Sequence, residues 1–466
     1  MWTNVLSKMA FFIGGLCTMG GLHAQYLRTS YFIEGTSARL QLNPALQPMR
    51  GYVNVPILNA FMGASSNVLG LTDIIDVLDS GRDLFPNDDL YNRLDEDNRF
   101  NVRANTDLFS FGWYKGCGFW NVDVRLRTDV SASIPKGMFE YFKNVSEYSQ
   151  SLNRASVESR GTLFQRSIYN VNFDVNAYAE VGVGYSRAVN ERLVVGGRFN
   201  LLLGLVHTDM QVDHFTLNVE TADDIYQSSV YSTVKANVKA SMKGGGLSFS
   251  EVDDGSGNIV RQVDRYNFDM GGFGISGVGM GIDLGASYRI LDNVIVSAAV
   301  LDLGFIRWNS GMTTVASADD VKIGINGDNY MDYMNGDFMD LKRFNMFENK
   351  DAVSAYNTKL SSTFLVAGEY KTMDDKLSLG IMYSAYFVQP KTLNEVTLSA
   401  TFHPKTWCDF ALSYSPVQAG GKSFGLALKL GPVFLGTDYV YFNNNSKASN
   451  AFLGVSFPLG KGIEKN

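Results

Sequence analysis

His207, His214 and His403 are the only histidines after residue 23, and no His-Glu-x-x-His, Cys-x-x-Cys or His-x-Glu spacing accompanies them. A metal site needs such ligands to converge, so no metal is expected. Ser399 shares a strand face with His403 but lies about 13 Å away at strand rise, too far for a nucleophile–base hydrogen bond. Neither an enzyme nor a cofactor is expected. Gly272-Phe273-Gly274-Ile275-Ser276-Gly277 matches the spacing of a phosphate-cradling loop, but a nucleotide site needs a helix to follow it. Gly279, Gly281 and Gly285 follow in a strand pattern instead, where glycine permits close approach to interior matter. Asp319, Asp320, Asp328, Asp332, Asp337, Asp340, Glu348 and Asp351 crowd residues 309–360. They lack calcium-loop spacing and are expected to form a solvated acidic loop.

The chemistry with a regular pattern is charge at every second position. Asp123, Arg125, Arg127 and Asp129 share one phase of a strand, and Glu180 and Arg198 follow on later ones. Asp283, Arg289, Glu369, Lys371, Glu395, Lys429 and Asp438 continue the series. Facing a basic residue into hydrocarbon would cost about 2–4 kcal/mol at the bilayer midplane. All thirteen are therefore expected to face a lumen, where both signs can pair.

The elements that would position them are strands. Leu377, Leu379, Ile381 and Tyr383 alternate with Ser378, Gly380 and Ser384, and similar runs start at Glu395, Ser423 and Leu453. Each is about as long as the 9–11 residues of a tilted membrane strand. Short turns are read at 115–117, 189–191, 291–293, 373–375, 404–406 and 431–432. The connections between them, about 64–104, 135–167, 220–276, 309–360, 389–392, 418–421 and 443–449, include four long ones. Six turns and seven other connections predict an all-β, 14-stranded antiparallel transmembrane barrel whose long, extracellular loops share one end. Asp253–Asn258 reads as a hairpin tip, and Leu71, Ile74, Ile75 and Leu78 have helical spacing.

Composition agrees. The chain has 46 glycines, 10 prolines, 13% aromatic and 19% charged residues in 466, which suits strands and turns and excludes disorder. A net charge of −7 offers no basic footprint, so nucleic acid is not an expected partner. Residues 1–24 read as a cleavable signal, with Lys8, an apolar run over 9–22 and Ala24 at the cleavage site. Cys117 and Cys408 then remain, either as one disulfide or as two free thiols.

Residues 25–50 precede the first barrel strand, 51–466 being the barrel. This polar, proline-broken segment is expected to fold into the lumen as a hatch. Asn43-Pro44-Ala45 would form its turn, and Asp283 and Arg289 would help hold it.

Asn43-Pro44-Ala45 ahead of a 14-strand pattern resembles the long-chain fatty-acid transporter superfamily of outer-membrane barrels. Gly281-Ile282-Asp283-Leu284-Gly285 with Tyr288-Arg289, followed by Leu301-Asp302-Leu303-Gly304-Phe305-Ile306-Arg307-Trp308, is similar to a family of unknown function among exported Bacteroidota barrels. The resemblance covers essentially the whole chain after the signal. It implies passive transport of a small hydrophobic compound, gated by the hatch, in the cell outer membrane. The partners implied are outer-membrane lipid, the barrel-assembly machinery during biogenesis and a small hydrophobic ligand. Related barrels dock secretion machinery, so the alternative is a non-transporting structural or docking barrel with a protein partner. The outer loops here are larger and more acidic than in the transporters. Phe457, with Gly454 before it, is the aromatic expected to serve as assembly signal.

Overall fold

Val278, Met280, Ile282 and Leu284 are exposed along one strand, while Gly279, Gly281 and Asp283 between them are buried. An exposed apolar row over a buried polar one inverts the pattern of a water-soluble sheet and suits a hydrocarbon surround. Phe199, Val366, Ile381, Leu412 and Leu426 continue the exposed belt on other strands. The computed structural model describes residues 28–34, 36–68, 91–137, 163–220, 229–253, 258–267, 274–325, 344–387, 392–418, 421–440 and 447–460. The signal segment, the expected helix at 71–78 and Asp328, Asp332, Asp337 and Asp340 lie outside these residues.

The wall starts with β1 (Gly51–Asn54) and β2 (Asn59–Ser66), which together make one stave. It continues through β3 (Asp97–Lys115), β4 (Gly118–Pro135), β5 (Leu163–Ala188) and β6 (Leu193–Glu220). Next come β7 (Ser229–Met242), β8 (Gly246–Asp253) and β9 (Ile259–Asn267), which stand outside the ring, then β10 (Gly277–Leu291) and β11 (Val294–Trp308) within it. β12 (Thr313–Ile325) and β13 (Phe347–Glu348) again stand outside, and β14 (Tyr356–Lys359) with β15 (Thr363–Thr372) makes one stave on β11. The ring is completed by β16 (Leu377–Tyr386), β17 (Leu393–Lys405), β18 (Cys408–Val417), β19 (Ser423–Leu430), β20 (Val433–Val440) and β21 (Ala448–Leu459). Of 21 strands, five stand outside and two pairs are single staves, so the antiparallel barrel has 14. It closes where Gly51 faces Leu459 and Ala60 faces Leu453.

The six short turns join β3–β4, β5–β6, β10–β11, β15–β16, β17–β18 and β19–β20 at one end, each two to four residues long. The long connections contain more strand than the alternation suggested. Residues 97–104 belong to β3, and both 220–276 and 309–360 hold extra strands. There an apolar face is buried against other strands of the extension, with Val234, Ala236, Val238 and Ala240 at every second position of β7. β7 pairs with the outer half of β6 and with β12, β8 pairs with β9 up to Asp253 opposite Ile259, and β13 touches both β12 and β9.

This extension has its own core, including Val212, Val234, Val238, Ala240, Val263 and Met346. Burial pushes the Tyr266 phenol up to about 12, so it stays protonated and bonds the Thr208 hydroxyl at 2.6 Å. Two of the acids expected in a free loop are tied to strands instead: Asp319 sits 3.1 Å from Lys235 and Asp320 2.8 Å from His214. Cys117 is exposed, Cys408 is buried and both are free thiols.

Candidate functional site: the lumen and the segment inside it

Residues 28–34 and 36–50 fold as a short 3-10 turn at Arg28–Ser30, a helix at Ala38–Leu42 and a turn at 43–47, with no strand among these described residues. Tyr31, Phe32, Ile33, Leu40, Leu42 and Asn43 are all nearly or fully buried. The wall is shaped to receive them. A Cβ on Gly380 would lie 2.5 Å from the Phe32 ring, one on Gly425 2.3 Å from Thr29 Oγ1, and one on Gly196 2.4 Å from the Pro44 carbonyl oxygen.

Asn43 is the hinge point of this packing. Its Oδ1 accepts from the Ala45 amide at 2.9 Å, closing the turn that asparagine before proline favours. Its Nδ2 donates to the Tyr31 hydroxyl at 3.1 Å and to the carbonyls of Ala298 and Ala286 at 3.3 and 3.4 Å. Those two alanines face each other across β10 and β11.

This N-terminal segment is also tied by charge. The Arg28 guanidinium meets Glu395 at 3.0 Å and Asp438 at 3.4 Å, and Asp438 accepts from the Arg28 and Thr29 amides at 3.0 and 2.9 Å. Glu34 pairs with Lys371. The Gln41 amide reaches Asp107 at 3.3 Å, and Arg198 donates to the Leu40 carbonyl at 3.4 Å.

Above residues 28–50, towards the long loops, lies a buried layer of ion pairs. Arg125 lies 2.8 Å from Asp123, 3.4 Å from Glu180 and 3.5 Å from Asp107. Arg127 reaches Glu180 at 2.9 Å and grips both oxygens of Asp302, at 2.5 and 2.9 Å. Arg198 stands 3.5 Å from both Asp123 and Asp283, and Asp283 accepts from the Asp302 amide at 2.7 Å. Asp302 occupies a bulge against β10, with φ of 59°, a left-handed conformation that aspartate tolerates better than most residues. Arg127 thus links β4 to β11 across the lumen.

The structure places Asp123, Arg125, Arg127, Glu180, Arg198, Asp283, Glu369, Lys371, Lys429 and Asp438 in buried positions inside the wall. Asp129 and Glu395 are half-buried and paired with Arg103 and Arg28. Arg289 departs from its expected role: it is exposed near the short-turn end of β10, and Arg198 is the arginine beside Asp283. Strand parity gives a side chain's face but not its depth. His403 lies 2.8 Å from Asp409, which also holds Lys429 at 3.1 Å, while Ser399 donates to the Leu412 carbonyl. Residues 274–277 lead into β10, not a helix.

Asp107, Asp302 and Arg28 belong to the site but escaped the reading of the sequence. Asp107 sits at a register shift of β3 and Asp302 at one of β11, which breaks the alternation around both. Arg28 lies in a segment without periodicity.

Beyond the ion-pair layer a cavity of about 700 Å³ opens among β3, β4, β5, β6, β7 and the β14 stave. Asn101, Asp129, Asn172, Asn176, His207, Asp209, Lys239, Tyr356, Asn357 and Tyr386 are in its lining. Arg103 bridges it, pairing with Asp129 at 2.6 Å and standing 3.9 Å over the Tyr386 ring.

No curated protein matches the chain. Among solved structures it is similar to the Pseudomonas putida toluene transporter TodX, at 9% identity over 94% of each chain with a TM-score of 0.32. It is also similar to the Ralstonia pickettii toluene transporter TbuX, at 9% identity over 94% of this chain and 99% of that one, TM-score 0.33. A Pseudomonas aeruginosa FadL homologue matches at 9% identity over 92% and 93%, TM-score 0.28. The model of the Family of unknown function (DUF5723) matches residues 44–438, from the proline after Asn43 to the aspartate that holds Arg28, and the chain belongs to that family.

Proposed function

We propose that the protein is an outer-membrane barrel for passive transport of a small, partly apolar compound, and that residues 28–50 are its hatch. The observation that carries this reading is how the hatch is held. It contributes no strand to the wall, so it can shift without breaking the barrel ladder. Side-chain hydrogen bonds, ion pairs and small apolar clusters around Tyr31, Phe32 and Ile33 retain it. A cavity on its outer side gives a cargo somewhere to wait. The polar lining of that cavity adds a requirement to the apolar cargo first expected: it must also present hydrogen-bonding groups.

Gly285→Val tests the hatch. A Cβ there would lie 2.0 Å from Asn43 Oδ1, an overlap costing roughly 1–3 kcal/mol that seating the turn must absorb. Valine itself suits a strand. The variant is expected to assemble as a barrel, expose residues 28–50 to protease and make cells more permeable to vancomycin. A variant as protease-resistant and as tight as the wild type would count against a movable hatch.

A docking role is the second reading. The extension of β7, β8, β9, β12 and β13, with a core of its own, is what favours it. It predicts a stable protein partner after gentle extraction and no flux.

A further inference from the structure

We propose that the outer cavity is a binding site for a neutral, hydroxyl-rich group, the chemistry of a small saccharide or of a glycoside head. The inference rests on the transport reading only in treating the cavity as open to cargo, and it does not need the hatch to move. At about 700 Å³ the space falls within the roughly 300–1,000 Å³ usual for small-molecule sites.

The charges of the lining are spent on one another. Arg103 pairs with Asp129, and His207 is fixed from both sides, 3.2 Å from Asp174 and 2.7 Å from the Tyr356 hydroxyl. Lys239 stands opposite Asp209 in the strand register and 4.5 Å over the Tyr356 ring. The three carboxylates of the lining, Asp129, Asp174 and Asp209, each have a partner, in Arg103, His207 and Lys239. An anion or a cation would therefore meet about as much repulsion as attraction.

What the lining offers a ligand is neutral. Three side-chain amides, of Asn101, Asn172 and Asn176, share the inner face with Arg103 and Asp129 in the strand register and line the cavity with the hydroxyls of Ser131 and Ser133. An amide both donates and accepts, as a hydroxyl does, so polyols match such a set group for group. Asn176 makes the case specific. It is 8% exposed, lines the cavity, and its Oδ1 has no hydrogen-bond partner. A buried acceptor of that kind is costly until a donor reaches it. A ligand hydroxyl supplies one, whereas a hydrocarbon would leave it unsatisfied.

The test is saturation-transfer NMR of the full chain in dodecyl-dimethylamine oxide, a detergent without a sugar head, using maltose, decanoate and toluene as probes. Maltose ring protons should be saturated by the wild type. Asn176→Leu should weaken maltose binding roughly tenfold, the loss of about one hydrogen bond. Asn101→Leu, on another stave, should weaken it similarly, and heat-modifiable gel mobility verifies that each variant is folded. No saturation of maltose by the wild type, or equal affinity in folded variants, would overturn the proposal. Decanoate or toluene passing into proteoliposomes without maltose binding would overturn this site and leave transport standing. Maltose binding without passage of any probe would do the reverse.

Discussion

Arg127→Met is expected to destabilise the folded barrel by about 3–5 kcal/mol, the cost of removing one partner from a buried ion pair. Arg127 is 2% exposed and serves Asp302 through two hydrogen bonds and Glu180 through another. Around it, five carboxylates (Asp107, Asp123, Glu180, Asp283 and Asp302) meet three guanidiniums (Arg125, Arg127 and Arg198). Methionine keeps the bulk but leaves five acids against two bases. Urea unfolding in detergent micelles should show a lower midpoint with little change in slope. Asp302→Asn introduced alongside should recover part of the loss, because the two residues are in contact and couple. An unchanged midpoint would mean that lumen water replaces the arginine at no cost, and the layer would not stabilise the barrel.

Excision of residues 28–50 should have the larger functional effect. The barrel ladder loses no hydrogen-bonded strand, since closure is made by β1 and β2 on β21. Glu395, Asp438, Asp107 and Lys371 lose hatch partners and gain water in exchange. Planar-bilayer recordings should change from brief openings to a steady step that scales with salt, as expected for a water-filled lumen. If excision left the recordings unchanged, the ion-pair layer above would be the seal, and the hatch would have no gating role.

Much of this architecture is written in alternation. Exposed Leu379 and Ile381 beside buried Ser378 and half-buried Gly380 show why: in a one-layer wall, each residue answers either to lipid or to lumen. The same parity put Arg127 and Glu180 inside without any knowledge of their partners. It failed where the ladder slips. Asp302 follows Leu301 on the same inner face because a bulge adds a residue there, and a period of two does not register that step. On β7 the alternation of Val234, Ala236, Val238 and Ala240 is present too, but it lies within a long connection and its apolar face is buried against other strands of the extension. The Asn43 turn was legible from local chemistry alone. Its docking against Gly196 and Gly285 was not, since those glycines lie far away in the chain and meet it only in the closed barrel.

The central claim is that the hatch moves to open the lumen, and a reversible tether tests it most directly. A Cβ on Gly285 would lie 3.0 Å from Asn43 Cγ, so a cysteine pair at 43 and 285 falls within disulfide reach. Asn43→Cys with Gly285→Cys, and with Cys117 and Cys408 changed to serine, should be recorded in planar bilayers before and after reduction. The account predicts no openings while the bridge is intact and openings once it is reduced. Openings of equal frequency and size with the bridge intact would show that passage, if any, does not use the hatch.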